Sequence, residues 1–189
     1  SPESPFLYKL TVTVKNKSQP YDYVEPTFGM REFKIVGPDF YLNGKRIFLR
    51  GGNIAFHRFL SDPERKGLVW DRTWIKKALI DIPKAHNFNY FRNHNGQMVN
   101  RWYDTADEYG MLIQDEWLFW DFTGTKEEII QEFTRWIKDN FNHPSIIIWD
   151  CLNEPDPHKR EVLTLQNEVI PEMKKLDPTR PWEWVPSIP

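Results

Sequence analysis

Asn142-His143-Pro144-Ser145-Ile146-Ile147-Ile148-Trp149-Asp150-Cys151-Leu152-Asn153-Glu154-Pro155 is the stretch that decides the fold of this 189-residue chain. Pro144 cannot continue a helix, and it turns His143 away from helical dihedrals, so a helix must stop there. Ile146 to Trp149 is a continuous apolar run of β-branched and aromatic residues, the pattern of a parallel strand covered on both faces. A lone carboxylate is expensive to bury. Glu154, just past such a strand, is therefore expected at an open mouth where chemistry happens.

Working outward from this strand, strand and helix alternate. Asp71 suits the N-cap of a helix with Trp74, Ile75, Ala78, Leu79, Ile82 and Ala85 on one face. Phe88–Arg92 reads as a strand, Arg101–Tyr109 as a helix closed by Gly110, and Met111–Gln114 as the next strand. Thr125-Lys126-Glu127-Glu128 is a capping box opening a helix that carries Ile129, Ile130, Phe133, Trp136, Ile137 and Phe141. A further helix is expected from about His158 to Leu176, and a strand at Trp182–Val185. Upstream, Ile47–Arg50 reads as the first strand of the series, leading to Gly51-Gly52-Asn53.

Repeated β-α units imply a parallel sheet with right-handed crossovers. No Gly-x-Gly-x-x-Gly follows the first strand, which weighs against a dinucleotide fold. Polar residues instead gather at successive strand ends: Asn53, Arg92-Asn93-His94, Asp115-Glu116 and Asn153-Glu154. A (β/α)8 TIM barrel places its active site at that face. The fold class expected is α/β, a partial barrel of four or five strands, since a whole barrel takes about 250 residues.

Before Ile47 the pattern is different. Tyr8–Val14 alternates with period two, as in a half-buried antiparallel strand, and Lys15–Asp22 reads as a polar connection. A second extended run covers Phe28–Val36, and Asp39–Leu49 reads as a hairpin turning at Asn43-Gly44. These strands read as the tail of a β-domain.

Composition narrows the function classes. The net charge of −2 gives no footing for nucleic acid or an anionic membrane, and no apolar run reaches the roughly 20 residues of a membrane span. The amino terminus lacks signal-peptide features, and the single Cys151 excludes an internal disulfide, so the compartment stays open. Asn16-Lys17-Ser18 fits a glycosylation sequon, a triplet frequent by chance. Aromatic residues make up 15% of the chain, and Trp117, Trp120, Trp149, Trp182 and Trp184 fall near strand ends, as a large core or a sugar-stacking cleft would require. No metal-binding spacing occurs, so neither metal nor cofactor is expected.

Each polar residue has two readings. Glu154 beside Asn153 is either a general acid/base with a hydrogen-bonding neighbour or a surface carboxylate before a proline. Of Asp115 and Glu116, one side chain positions a substrate hydroxyl or holds Arg92, or the pair makes a structural ion pair. Arg92 is a fork for a carboxylate or a solvated loop residue. His94, His57, Asn53 and Trp117 are candidates for contact with a sugar, with ordinary loop or core roles as the alternative. His86 and His143, at helix ends, are expected to be structural, and Cys151 to be a buried thiol.

At these positions the chain resembles glycoside hydrolase family 2, which includes β-galactosidases, β-glucuronidases and β-mannosidases. Asn142-His143-Pro144-Ser145 through Asn153-Glu154 is similar to the family's acid/base signature. Asn89–Arg92 through Asp107-Glu108-Tyr109-Gly110-Met111-Leu112-Ile113 resembles its other signature. Phe28–Phe33 and Leu42–Asn53 resemble the passage from an immunoglobulin-like sandwich into the barrel, and Asp177–Pro181 the approach to strand five. Two departures stand out: His94-Asn95-Gly96 replaces the usual His-Tyr-Pro with one residue less after Arg92, and Asp150 replaces the usual Gly or Ser after the signature Trp.

The resemblance implies a sandwich remnant and linker at residues 1–36 and the amino-terminal half of the barrel at 37–189. It implies a retaining β-glycosidase acting on carbohydrate, with Glu154 as acid/base and a nucleophilic Glu on strand seven, beyond Pro189, leaving the chain alone inactive. The alternatives are a non-catalytic carbohydrate-binding module, an assembly element that self-associates through exposed strand edges, and an endo-acting β-glycanase of a related barrel.

Overall fold

The computed structural model describes residues 1–118, 124–154, 156 and 158–183. Trp120, Pro155, Trp184 and Val185 lie outside the described residues.

Five parallel strands form one sheet: β1 (Gly51–Ile54), β2 (Tyr90–Asn93), β3 (Leu112–Glu116), β4 (Ile146–Asp150) and β5 (Trp182–Glu183). Their spatial order is β5-β4-β3-β2-β1, so each strand pairs with its neighbours in sequence. A doubly wound sheet reverses its strand order at a switch point; this sheet has no reversal, as in a barrel wall. The α/β partial-barrel expectation therefore holds, and antiparallel strands precede it.

β1 starts four residues later than expected. Lys45–Ile47 instead closes a three-stranded antiparallel meander with Phe33–Val36 and Asp39–Leu42. Its second turn is the expected one, with Asn43 at φ 51° and Gly44 at φ 75°, the mirror-image geometry that suits strand twist. The barrel strand needs Gly51: a Cβ there would lie 1.7 Å from the carbonyl oxygen of Tyr90. The meander buries Phe33 and Leu42 against Leu112, Ile147 and Ile148, sealing the sheet at the amino-terminal ends of its strands. The opposite ends are left to carry polar groups.

The remaining antiparallel strands are less covered than expected. Tyr8–Lys9 pairs with Thr27–Phe28, and Val12–Asn16 with Gln19–Val24. The polar connection is thus partly a strand, turning at Lys17 and Ser18, both at positive φ. Leu10, Val12 and Val14 are 50%, 46% and 58% exposed, because no layer of described residues packs on that face.

Helices cover the outer side of the sheet. Asp71 caps its helix by accepting from the Trp74 amide at 2.7 Å. Thr125 and Glu128 form the reciprocal capping box of Lys126–Asn140. Ile129, Phe133, Trp136 and Ile137 of that helix pack with Ile113, Ile146 and Trp149 in the main core.

Two crossover helices contain an unexpected π turn. Lys77–Asp81 separates Arg72–Lys76 from Ile82–Ala85, and Leu165–Val169 separates Arg160–Thr164 from Ile170–Leu176. Each lies just before an internal proline, Pro83 or Pro171. A proline ring clashes with the carbonyl four residues back, and the wider turn relieves that clash. The extra residue rotates the downstream face. Hence Ile80 and Pro83 are buried, whereas Ile82 is 51% exposed and Ala85 is exposed, contrary to uninterrupted helical periodicity.

Candidate active site

Side chains alternate across a strand, and this separates the two acids that end β3. Leu112, Gln114 and Glu116 lie on the inner face, and Ile113 and Asp115 on the helix-covered face. Gln114 lies opposite Arg92 of β2, and Glu116 opposite Asp150 of β4, which in turn faces Glu183 of β5. The carboxyl ends of four strands thus deliver one polar cluster.

Arg92 is its centre. Its Nε donates to Asp150 Oδ2 at 2.9 Å and lies 2.8 Å from Glu116 Oε2, while Nη2 donates to Asn153 Oδ1 at 3.1 Å. Gln114 Nε2 donates to Asp150 Oδ2 at 2.7 Å, and the Tyr90 hydroxyl donates to Gln114 Oε1. His94 Nδ1 lies 3.3 Å from Glu116 Oε2, and Asn95 Nδ2 is 3.1 Å from His94 Nε2. Glu116 Oε1, Asp150 Oδ1 and Asn153 Nδ2 are buried without a hydrogen-bond partner among the described residues.

Burial governs the protonation of these acids. It pushes the Glu116 carboxyl up to about 8, with the charge of Asp150 adding to the shift and Arg92 opposing it. Burial also raises Asp150, against the pull of Arg92 and Gln114, and raises Glu183, where Asp150 adds. His94 is lowered by burial and then by Arg92, while Glu154 works in the opposite direction. Folded Glu116 therefore binds a proton that the unfolded chain has released between about pH 4.5 and 8. Its contribution to stability falls as pH rises through that window. Thermal melts from pH 5 to 8 are expected to show a falling Tm that Glu116→Gln flattens; parallel profiles for the two proteins would contradict this origin.

Glu154 lies four residues beyond β4, exposed, and near enough to His94 of the cluster to act on its proton affinity. Its backbone takes φ 47°, a left-handed conformation uncommon for a residue with a side chain. Asn153 beside it is buried and bound to Arg92.

The other expected residues divide. Asn53 is exposed on β1, opposite Arg92 in register. His57, also exposed, is the second residue of the short helix Phe56–Ser61 and is close enough to His94 to depress its proton affinity. Trp117 turns mainly to the helix side, its ring 5.4 Å from those of Phe133 and Trp136, with an edge on a groove lined by Phe56, His57 and Leu118. Asp115 departs from a substrate-contact role. It is fully buried on the helix side, accepting from Tyr103 at 2.5 Å, Asn93 at 2.9 Å and Trp136 Nε1 at 2.7 Å. Facing away from the cleft, it ties β3 to two helices.

His143 and His86 have local partners. His143 Nδ1 meets Asp107 Oδ2 at 2.6 Å, and the other Asp107 oxygen accepts the Ser145 amide at 2.8 Å, latching the helix stop to Asn100–Tyr109. His86 Nδ1 is 2.9 Å from the carbonyl of Ile82. Cys151 is buried, its Sγ 3.2 Å from the Glu183 carbonyl.

Tyr90, Gln114 and Glu183 were not anticipated as site residues, and Asp150 had stood out only as a departure from the family signature. A signal existed for Gln114 and Asp150, since each lies two residues from an inward neighbour on its own strand. Glu183 required the β4–β5 register.

Comparison with known proteins agrees with this geometry. The family model described as glycosyl hydrolases family 2, TIM barrel domain, matches residues 33–187. A β-galactosidase of Lactococcus lactis is 32% identical over 82% of this chain and 16% of its own length. One from Halalkalibacterium halodurans is 31% identical over 95% of this chain and 19% of its own. The chain thus spans less than a fifth of these relatives. In fold it is similar to an FMN-binding β-glucuronidase from Facaelibacterium prausnitzii, with TM-score 0.83 at 24% identity, covering 97% of this chain and 29% of that one. With a family match running from the meander through β5, the chain belongs to glycosyl hydrolase family 2, within its TIM barrel domain.

Proposed function

We propose that this chain carries the acid/base half of a retaining β-glycosidase. The observation that carries the reading is the position of Asn153-Glu154, past β4 and tied through Arg92 to an inward cluster of carboxylates. A glycosidic oxygen departs poorly unless it is protonated, and Glu154 supplies that proton, then takes one from the attacking water. The unpartnered Nδ2 of Asn153 is a donor for a sugar hydroxyl. The left-handed backbone at Glu154 fits a site that holds a strained residue in place. Residues 1–36 belong, in this reading, to a preceding β-sandwich and linker, and 37–189 to the barrel.

The nucleophile comes from a strand beyond these five, because retention needs a second carboxylate about 5–5.5 Å from the first and a barrel closes with eight strands. Glu116 and Asp150 are occupied with Arg92. The purified 189-residue chain is expected to release no 4-nitrophenol from aryl β-glycosides. A protein with the complete barrel hydrolyses them, and NMR of the first-formed product shows the β-anomer. Robust turnover by the chain alone, or an α-anomer as first product, would contradict the assignment.

A further inference from the structure

Among the described residues Arg92 is the one arginine of the cluster, and its charge is already spent. One nitrogen is shared by two buried carboxylates, at 2.8 Å from Glu116 and 2.9 Å from Asp150, and another is taken by Asn153. Both acids are fully buried, and each keeps one oxygen with no partner among the described residues. Buried acceptors of this kind have nothing to offer a second carboxylate.

We propose that Asp150 is a specificity residue: by cancelling Arg92 on the inner face of the sheet, it favours neutral β-glycosides and turns away uronic acids. This rests on the glycosidase reading above and extends it to the class of sugar. The sequence around Asp150 makes the device local, because Trp149 before it and Cys151 after it point into the core, so only Asp150 of the three meets Arg92 on the inner face. Arg58 stands exposed at the rim, where solvent and salt screen it.

The test uses the complete-barrel protein with paired 4-nitrophenyl substrates at pH 7: the β-galactoside, β-glucoside and β-mannoside against the β-glucuronide and β-galacturonide. The best neutral glycoside is expected to exceed the best uronide in kcat/KM on the order of 100-fold, the effect of bringing a like charge against a buried one. Asp150→Asn frees Arg92 and is expected to raise the uronide-to-neutral ratio at least tenfold, chiefly through a lower uronide KM. A wild-type preference for a uronide would overturn the proposal, as would a ratio unchanged within twofold in the variant. Should the variant not fold, the wild-type ratio decides alone. Absence of turnover on every glycoside would instead overturn the glycosidase reading itself.

Discussion

Glu154→Gln in the complete-barrel protein lowers kcat/KM for an aryl β-glycoside with a poor leaving group by about 10³-fold, within the range for loss of a positioned acid/base. The loss shrinks steeply for a dinitrophenyl leaving group, which departs without a proton. This contrast separates catalysis from folding damage, because a misfolded variant loses both substrates equally. The structure favours a clean result. Glu154 is exposed and outside the hydrogen-bonded cluster, so an isosteric amide there leaves the bonds of Arg92 to Glu116, Asp150 and Asn153 intact. Equal losses for the two leaving groups would remove Glu154 from the proton transfer.

Arg92→Met has the second large effect, and it falls on stability. The substitution keeps most of the stem but leaves Glu116 and Asp150, both fully buried, without their counterion. Breaking a buried pair by removing one partner costs about 3–5 kcal/mol. The sign with pH follows from the direction of the shifts. Glu116 and Asp150 already hold their protons more tightly than free carboxylates, and loss of Arg92 tightens them further. Folding of the variant therefore takes up protons above about pH 4, where the unfolded carboxylates begin to ionise. Urea unfolding is expected to show a deficit at pH 8 that narrows markedly at pH 5. A deficit equal at both values would mean that Arg92 contributes packing rather than charge.

Much of the barrel could be read from local chemistry. Pro144, the Ile146–Trp149 run, the Thr125 capping box and the Asn43-Gly44 turn act over a few residues, and each appears where expected. What escaped depended on neighbours distant in sequence. Gln19–Val24 is polar but pairs because Val12–Asn16 lies beside it. β1 begins at Gly51 because the Tyr90 carbonyl leaves no room for a side chain. The π turns at Lys77–Asp81 and Leu165–Val169 answer prolines one turn downstream, a local cause that helical periodicity alone does not register.

The site shows the same division. Asn153-Glu154 and Arg92 were legible as chemistry at strand ends. Asp115 and Glu116 are adjacent and look equivalent in sequence, yet period two sends one to a Tyr-Asn-Trp cradle and the other to Arg92. Which face is inward is set by sheet register and by the helices outside it. Asp150 stood out as a departure from the family signature, but its partner did not, since a carboxylate ending an apolar strand is costly unless an arginine waits across two strands.

The most direct measurement of the central claim is azide rescue of Glu154→Ala in the complete-barrel protein. Azide needs no general base, so on a dinitrophenyl β-glycoside it is expected to restore turnover and yield the β-glycosyl azide. Failure of azide to accelerate the variant, with no glycosyl azide formed, would contradict Glu154 as the acid/base of a retaining glycosidase.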